Sequence, residues 1–184
     1  MKSLLTVITF LSFIVANAQK VTTDFDESTD FNEYNSYQFL GWQDDSDKAL
    51  NEFDKKRMRD AFQSELDARN LKMLDSEADM AMSLYIVVNQ KTSTTAYTNY
   101  HGSTGYGYRR GGRGWGNGYS TTSYSESDYL EGTLVMDVFD AESKELIWQG
   151  VATGTIKEKP EKREKSIPKS VAKLMKKFPI AKAK

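Results

Sequence analysis

The chain has 184 residues, with 25 Lys and Arg against 26 Asp and Glu, one His and no Cys. A formal net charge of −1 argues against broad electrostatic capture of nucleic acid or of anionic lipid. The absence of Cys excludes disulfides and lipid attachment through a cysteine, and with a single His it leads us to expect no metal site. We expect no cofactor either.

The first twenty residues, MKSLLTVITFLSFIVANAQK, have the pattern of a secretory leader. Lys2 supplies a positive start, an apolar run follows over 4–15, and Ala-Asn-Ala at 16–18 fits the small-x-small rule for signal peptidase. The apolar run is too short for an ordinary membrane span of about 20 residues. We therefore predict a signal peptide over 1–18 and an exported mature chain over 19–184. It would be periplasmic or outer-membrane-associated, would not be lipidated, and would have no transmembrane span.

The first half of the mature chain predicts two strands and a helix. EYNSYQFLGW alternates aromatic and polar residues, which indicates a strand over about 34–41. DDSD at 44–47 offers N-cap candidates for a helix over 49–70, whose apolar residues form one stripe. Asn70 is the predicted left-handed residue at its end. Alternating apolar residues then predict a strand over about 78–90.

The second half predicts a hairpin over 131–156 and a last helix. On the returning strand of the hairpin, one face is predicted to carry Leu146, Trp148, Ala152 and Ile156, and Gly150 on that face leaves room for a helix. The charged segment 158–165 is typical of a solvated connector. Ser166 is then the predicted cap of an amphipathic helix that ends before Pro179.

These elements together predict an α+β fold. Two amphipathic helices need an apolar surface, and the sheet supplies one. We therefore expect a single two-layer domain over 19–184, with an antiparallel-rich sheet of about four strands and both helices on one face.

A long insertion separates two consecutive strands of this sheet. Segments 91–100 and 119–129 are rich in Thr, Ser and Tyr, which suit exposed strands. Between them, HGSTGYGYRRGGRGWGNG cannot build a core because it consists largely of glycine and polar residues. We predict a projecting hairpin over 91–128 whose flexible tip is 101–118.

The glycine-rich tip is predicted to bind a partner through aromatic rings and guanidinium groups. The glycines at Gly105 and Gly107 are not followed by a third glycine at the spacing of the dinucleotide-binding pattern Gly-x-Gly-x-x-Gly. The segment also lacks the lysine that a phosphate-binding loop requires. RRGGRG resembles RNA-binding segments, but export removes it from most RNA, so we expect no nucleic acid. Another envelope protein or a surface polysaccharide fits better, and a tolerated insertion without a ligand remains open. The candidate binding residues are Tyr106, Tyr108, Arg109, Arg110, Arg113, Trp115 and Tyr119.

We expect the protein not to be an enzyme. Its single histidine, His101, lies in the tip, and no Gly-x-Ser-x-Gly elbow is present. A carboxylate-based hydrolase, the least favoured alternative, would need some of its clustered acids to converge in one cleft. These acids are Asp24, Asp26, Asp137 and Asp140. The stronger alternative is a module that binds a small ligand or lipid in a pocket between sheet and helices.

Four stretches of the chain resemble the bacterial family called domain of unknown function 4136. They are VTTDFDESTDFNEYNSYQF (21–39), ELDARNL (65–71), YLEGTLVMDVFDAESKELIWQGVA (129–152) and VAKLMKKFP (171–179). The most specific residues are Gly132, Thr133, Leu134, Asp137, Asp140, Lys144, Leu146, Trp148 and Gly150.

The resemblance implies an exported envelope protein, since members are exported, often as lipoproteins, and are common in Bacteroidetes and Proteobacteria. Many carry a Gly/Tyr/Trp-rich insertion at the position of the tip. This sequence lacks the lipoprotein cysteine, and it has Arg69-Asn70-Leu71 where Lys-Gly before Leu or an aromatic residue is usual. The family has no assigned activity, so the resemblance implies no catalytic residue.

Overall fold

The computed structural model describes residues 19–43, 46, 50–101 and 119–183. The described residues form six strands and two α-helices, with a short 3-10 turn at Phe31–Glu33. The strands are β1 (Lys20–Phe25), β2 (Ser36–Trp42), β3 (Lys72–Met73), β4 (Met80–His101), β5 (Tyr119–Asp140) and β6 (Leu146–Thr155). The helices are α1 (Glu52–Asp67) and α2 (Pro160–Met175).

All six strands belong to one mixed sheet with the order β1-β6-β5-β4-β2-β3. Strand β2 runs parallel to β3 and β4, because α1 carries the chain across the sheet between them, and the other neighbours are antiparallel. The prediction of an α+β fold is confirmed, but the predicted sheet of about four strands is wrong. The two missed strands lie at the edges, where β1 is largely exposed and β3 has only two residues. Neither shows the strong apolar alternation that identifies a half-buried strand.

The core lies between one face of the sheet and both helices. Helix α1 contributes Met58, Phe62 and Leu66, and α2 contributes Val171, Leu174 and Met175. The even-numbered residues of the central strands point at them, because side chains alternate between the two faces of a strand. These residues are Met82, Leu84, Ile86, Leu134, Met136, Val138, Trp148 and Ala152.

The ends of the helices differ in part from the expected ones. Asn51 caps α1 by accepting a hydrogen bond from the Asp54 N–H at 2.9 Å. The predicted DDSD cap at 44–47 precedes it by one turn, and of its four residues only Ser46 is described. The prediction for Asn70 is confirmed, since its φ is 61°. Helix α2 begins at Pro160, so the expected solvated connector over 158–165 is wrong. Proline is favoured at the first helical position, and the Glu and Lys residues that follow are good helix formers.

A register shift in β6 changes one predicted face. The pairing of β5 with β6 is irregular between Val138, which lies opposite Trp148, and Phe139, which lies opposite Leu146. Ile147 and Trp148 are therefore both buried, and Leu146 is 46% exposed instead of lying on the core face. A bulge of this kind depends on the partner strand, so the local alternation of apolar residues does not reveal it.

Candidate functional site

Strands β4 and β5 extend far beyond the rest of the sheet as a two-stranded ribbon. Their pairing continues without a register shift from Met80 opposite Asp140 to His101 opposite Tyr119. The neighbouring strands stop much earlier, since β2 ends opposite Leu84 and β6 ends opposite Glu131. We call the part from Gln90 and Leu130 to His101 and Tyr119 the ribbon. At about 3.3 Å per residue it is roughly 35 Å long.

The ribbon buries almost no side-chain surface. Residues 89–99 and 121–128 are all exposed, including Tyr97 at 60% and Tyr124 at 73%. Cross-strand contacts are polar: the hydroxyls of Thr98 and Thr122 lie 3.2 Å apart, and the Thr92 hydroxyl donates to the Asp128 carboxylate at 2.8 Å. An isolated two-stranded ribbon is only marginally stable in water, so this element gains little from its own contacts.

The two faces of the ribbon differ in charge. The face that continues the helix-covered side of the sheet carries Glu126 and Asp128. The opposite face carries Lys91, Tyr97 and Tyr129 among Ser and Thr residues. It continues the face of the sheet that no helix covers within the described part of the chain. The ribbon thus presents one face with two carboxylates, one face with a lysine, and two backbone edges that have no neighbouring strand among the described residues.

The predicted binding residues of the tip lie almost entirely outside the described residues. This applies to Tyr106, Tyr108, Arg109, Arg110, Arg113 and Trp115. The exception is Tyr119, the first residue of β5, which lies opposite His101. The leader over 1–18 also lies outside the described residues. The assignment of these residues to binding and to a signal peptide stays a prediction.

The four clustered acids do not form one hydrogen-bonded group, because Asp26, Asp137 and Asp140 each have different hydrogen-bond partners. Asp24 and Asp137 lie on either side of Gln149 in one cross-strand row, and the Gln149 amide donates to Asp137 at 2.8 Å. Asp26 accepts hydrogen bonds within its own turn, from the Ser28 N–H at 2.9 Å among others. These bonds, led by that from the Ser28 N–H, hold the pKa of the Asp26 carboxyl below its usual value.

Asp140 belongs to an acidic groove at the end of the sheet opposite the ribbon. Its carboxylate accepts from the Ser143 N–H at 2.6 Å and from the Tyr34 hydroxyl at 2.9 Å. The Ser143 N–H is the main reason why the pKa of Asp140 is lowered, and burial raises the pKa of Tyr34 to about 12. Glu33, Glu77, Asp79 and Glu142 also line this groove. Among the described residues, no three His, Cys, Asp or Glu side chains are placed to hold a metal ion.

An apolar cavity of about 120 Å³ lies between the sheet and the N-terminal parts of both helices. Its wall includes Asp54, whose carboxylate is almost completely buried and accepts from Arg57 at 2.7 Å and from Arg163 at 2.8 Å. Arg163 also donates to the Lys157 carbonyl at 3.1 Å, so it ties α1, α2 and the segment before α2 together. The sequence does not predict this cluster, because its charge pattern places Arg163 in a connector over 158–165. The only local signal was the spacing of Asp54 and Arg57, which suits an ion pair within one helical turn.

The family profile described as "Domain of unknown function (DUF4136)" matches residues 21–180. The chain belongs to this family. The DUF4136 match spans all six strands and both helices, and the predicted resemblance is therefore confirmed. No curated protein matches this DUF4136 chain in sequence.

Solved structures resemble this DUF4136 member in fold only. A PDZ domain protein from Parabacteroides distasonis aligns with a TM-score of 0.55 at 10% identity, covering 89% of this chain and 36% of that protein. The chain therefore spans about a third of that protein's length. The PelC dodecamer from Paraburkholderia phytofirmans aligns with a TM-score of 0.45 at 9% identity, over 86% of this chain and 95% of PelC. A minor lipoprotein from Acinetobacter baumannii aligns with a TM-score of 0.34 at 10% identity, over 79% and 90% of the two chains.

Within the part of the DUF4136 chain that the structure describes, no helix is both long and apolar enough to span a membrane.

Proposed function

We propose that this DUF4136 protein is an exported, non-enzymatic interaction module that binds another envelope protein through the ribbon. The ribbon's exposed geometry carries the proposal. Beyond Leu84 on β4 and Glu131 on β5, the outer backbone edges have no neighbouring strand among the described residues. Exposed strand edges are the surfaces to which an extended segment of another protein adds by backbone hydrogen bonding.

The composition of the ribbon supports binding by strand addition. Natural proteins protect exposed edges with prolines, bulges and frequent lysines. The described part of the ribbon has no proline, its register is continuous, and Lys91 is its one lysine. An edge left this open is expected to be covered by a partner. The leader-like first 18 residues and the family support export, so the partner would be another protein of the envelope.

The test compares three forms of the protein in cross-linking pull-downs from intact envelopes. The first form is the wild type. In the second, an Asn-Gly turn replaces 102–118, which removes most of the tip and keeps the ribbon. In the third, an Asn-Gly turn replaces 92–128 and joins Lys91 to Tyr129, which face each other in the sheet.

A partner that is captured by the first two forms and lost from the third would assign binding to the ribbon. A partner lost already from the second form would assign it to the glycine-rich tip instead. Capture of the same proteins by all three forms, with each form folded, contradicts the proposal. Loss of a polysaccharide rather than a protein from the third form also contradicts it.

A further inference from the structure

We propose that the cavity between the sheet and the N-terminal parts of α1 and α2 binds a single short acyl chain that carries an anionic head group. The site lies in the body of the domain, away from the ribbon, and the proposal does not depend on the function proposed for the ribbon. Three features of the cavity support it: its apolar lining, its volume, and the excess of cations at its rim.

The interior of the cavity suits an unbranched apolar tail. Eight apolar side chains from both layers line it: Leu50, Met58, Ile86, Leu134, Ala152, Ile156, Ile167 and Val171. The volume of about 120 Å³ is close to that of an engineered apolar cavity of about 150 Å³ that binds benzene. A tail of about four to six carbons therefore fills the cavity.

The rim of the cavity carries more positive than negative charge. The single carboxylate of Asp54 is shared by two guanidinium groups, those of Arg57 and Arg163. Lys157 also lines the cavity, and its ammonium group has no ion-pair partner among the described residues. A surplus of cations beside an apolar cavity is stabilised by an anion that reaches the rim while its tail stays inside.

The cavity continues into a surface groove, which offers a route from the solvent. Thr155, Ile156 and Lys157 line both the cavity and this groove of about 470 Å³. Three lysines line the groove against two acids, Asp128 and Glu158, so its lining also has a net positive charge. Lys157 stands where the two spaces meet, which is the position expected for a residue that holds the head group.

The first experiment measures binding of butanoate, hexanoate and octanoate to the purified protein by backbone amide chemical shifts. We expect saturable shifts at Ala152 and Ile156, with a Kd that falls about fourfold for each added CH2 until the cavity is full near six carbons. Hexyl phosphate and hexylamine have the same tail with a different head. Hexyl phosphate should bind like hexanoate, and hexylamine at least about tenfold more weakly.

Three variants decide whether binding takes place in this cavity. Ser170→Leu fills the cavity from α2 and should abolish the saturable shifts. Lys157→Gln should weaken hexanoate binding by about tenfold and leave the unfolding midpoint unchanged, which keeps the test decisive even if Ser170→Leu disturbs folding. Lys169→Gln, on the exposed side of α2, is the matched control and should bind like the wild type.

The proposal is overturned by the absence of saturable shifts with millimolar hexanoate. It is equally overturned if hexylamine binds as tightly as hexanoate, or if folded Ser170→Leu and Lys157→Gln both bind like the wild type.

Discussion

Gly150 is in contact with the ring of Trp148, two residues earlier on β6. A Cβ atom on Gly150 would lie 2.2 Å from Cη2 of Trp148 and 2.9 Å from Cδ1 of Leu174 on α2. The Trp148 ring is fully buried and packs edge-on against Phe178 at 5.1 Å between ring centroids. Gly150 therefore leaves room for both the indole ring and the helix that covers it.

Gly150→Ala is expected to lower the free energy of unfolding by about 2–3 kcal/mol, because the added methyl group overpacks a core that cannot yield easily. Gly154→Ala is the matched control on the same strand. Its Cβ would lie 3.6 Å from Cγ of Gln19, an ordinary contact, and its stability should change by less than about 0.5 kcal/mol. Chemical denaturation measures both. An equal decrease in the free energy of unfolding for Gly150→Ala and Gly154→Ala would contradict the steric argument.

Substitutions at Asn70 test whether α1 must end with a residue in the left-handed conformation. At a φ of 61°, glycine fits without strain, whereas a β-branched residue does not. We expect Asn70→Gly to leave stability unchanged within about 0.5 kcal/mol and Asn70→Val to lower it by about 1–2 kcal/mol. Thermal unfolding of the two variants provides the comparison. A stable valine variant would show that α1 can end with another backbone conformation.

Asp79 links the loop before β4 to β2. Its carboxylate accepts from the N–H groups of Asn35 at 2.8 Å and Ser36 at 2.9 Å and from the Ser36 hydroxyl at 2.8 Å. These bonds, led by that from the Asn35 N–H, lower the pKa of Asp79. Because the pKa is lower in the folded state, the stabilisation is complete above the unfolded value of about 4 and is lost as pH falls through the folded value.

Asp79→Ala should therefore lower the free energy of unfolding by about 1–2 kcal/mol at neutral pH. The difference from the wild type should shrink below about pH 4. Urea unfolding at a series of pH values measures it. Asp75→Ala is the control on the same loop, because the exposed Asp75 carboxylate forms no hydrogen bond or ion pair within the described residues. A difference for Asp79→Ala that stays constant down to pH 2 would exclude the carboxylate as its source.

Replacing 92–128 with an Asn-Gly turn should change the stability of the body by less than about 1 kcal/mol. The removed part of the ribbon buries almost no side chain, so little packing is lost. In the wild type without a partner, amides of 91–99 should exchange with solvent orders of magnitude faster than those of 82–86. Hydrogen exchange followed by mass spectrometry resolves the two segments. Equal protection would mean that the ribbon is stabilised without a partner.

Tyr37→Phe should leave the protein as stable as the wild type or up to about 1 kcal/mol more stable. The Tyr37 hydroxyl is buried without a hydrogen-bond partner among the described residues, and burial raises the pKa of Tyr37 to about 12. Tyr34→Phe is the contrasting variant. It loses the 2.9 Å hydrogen bond to Asp140, and its free energy of unfolding should fall by about 0.5–1.5 kcal/mol. Calorimetry measures the stability of both variants. A larger loss of stability for Tyr37→Phe than for Tyr34→Phe would mean that the Tyr37 hydroxyl has a hydrogen-bond partner after all.

The sequence by itself determined the features that depend on local periodicity. The apolar stripe of α1, the alternation in β4 and β5, and the left-handed Asn70 all follow from patterns a few residues long. Such patterns report which face of an element is buried, and this was sufficient to predict an α+β domain.

Only the tertiary structure decided the features that depend on distant partners. Strand β1 exists because β6, more than 100 residues later, pairs with it, and the exposure of Leu146 follows from the register shift against β5. The contact of Arg163 with Asp54 likewise joins residues that are far apart in the chain. Hydrogen bonds between strands and ion pairs between helices leave no local period in the sequence, so these features could not be predicted from it.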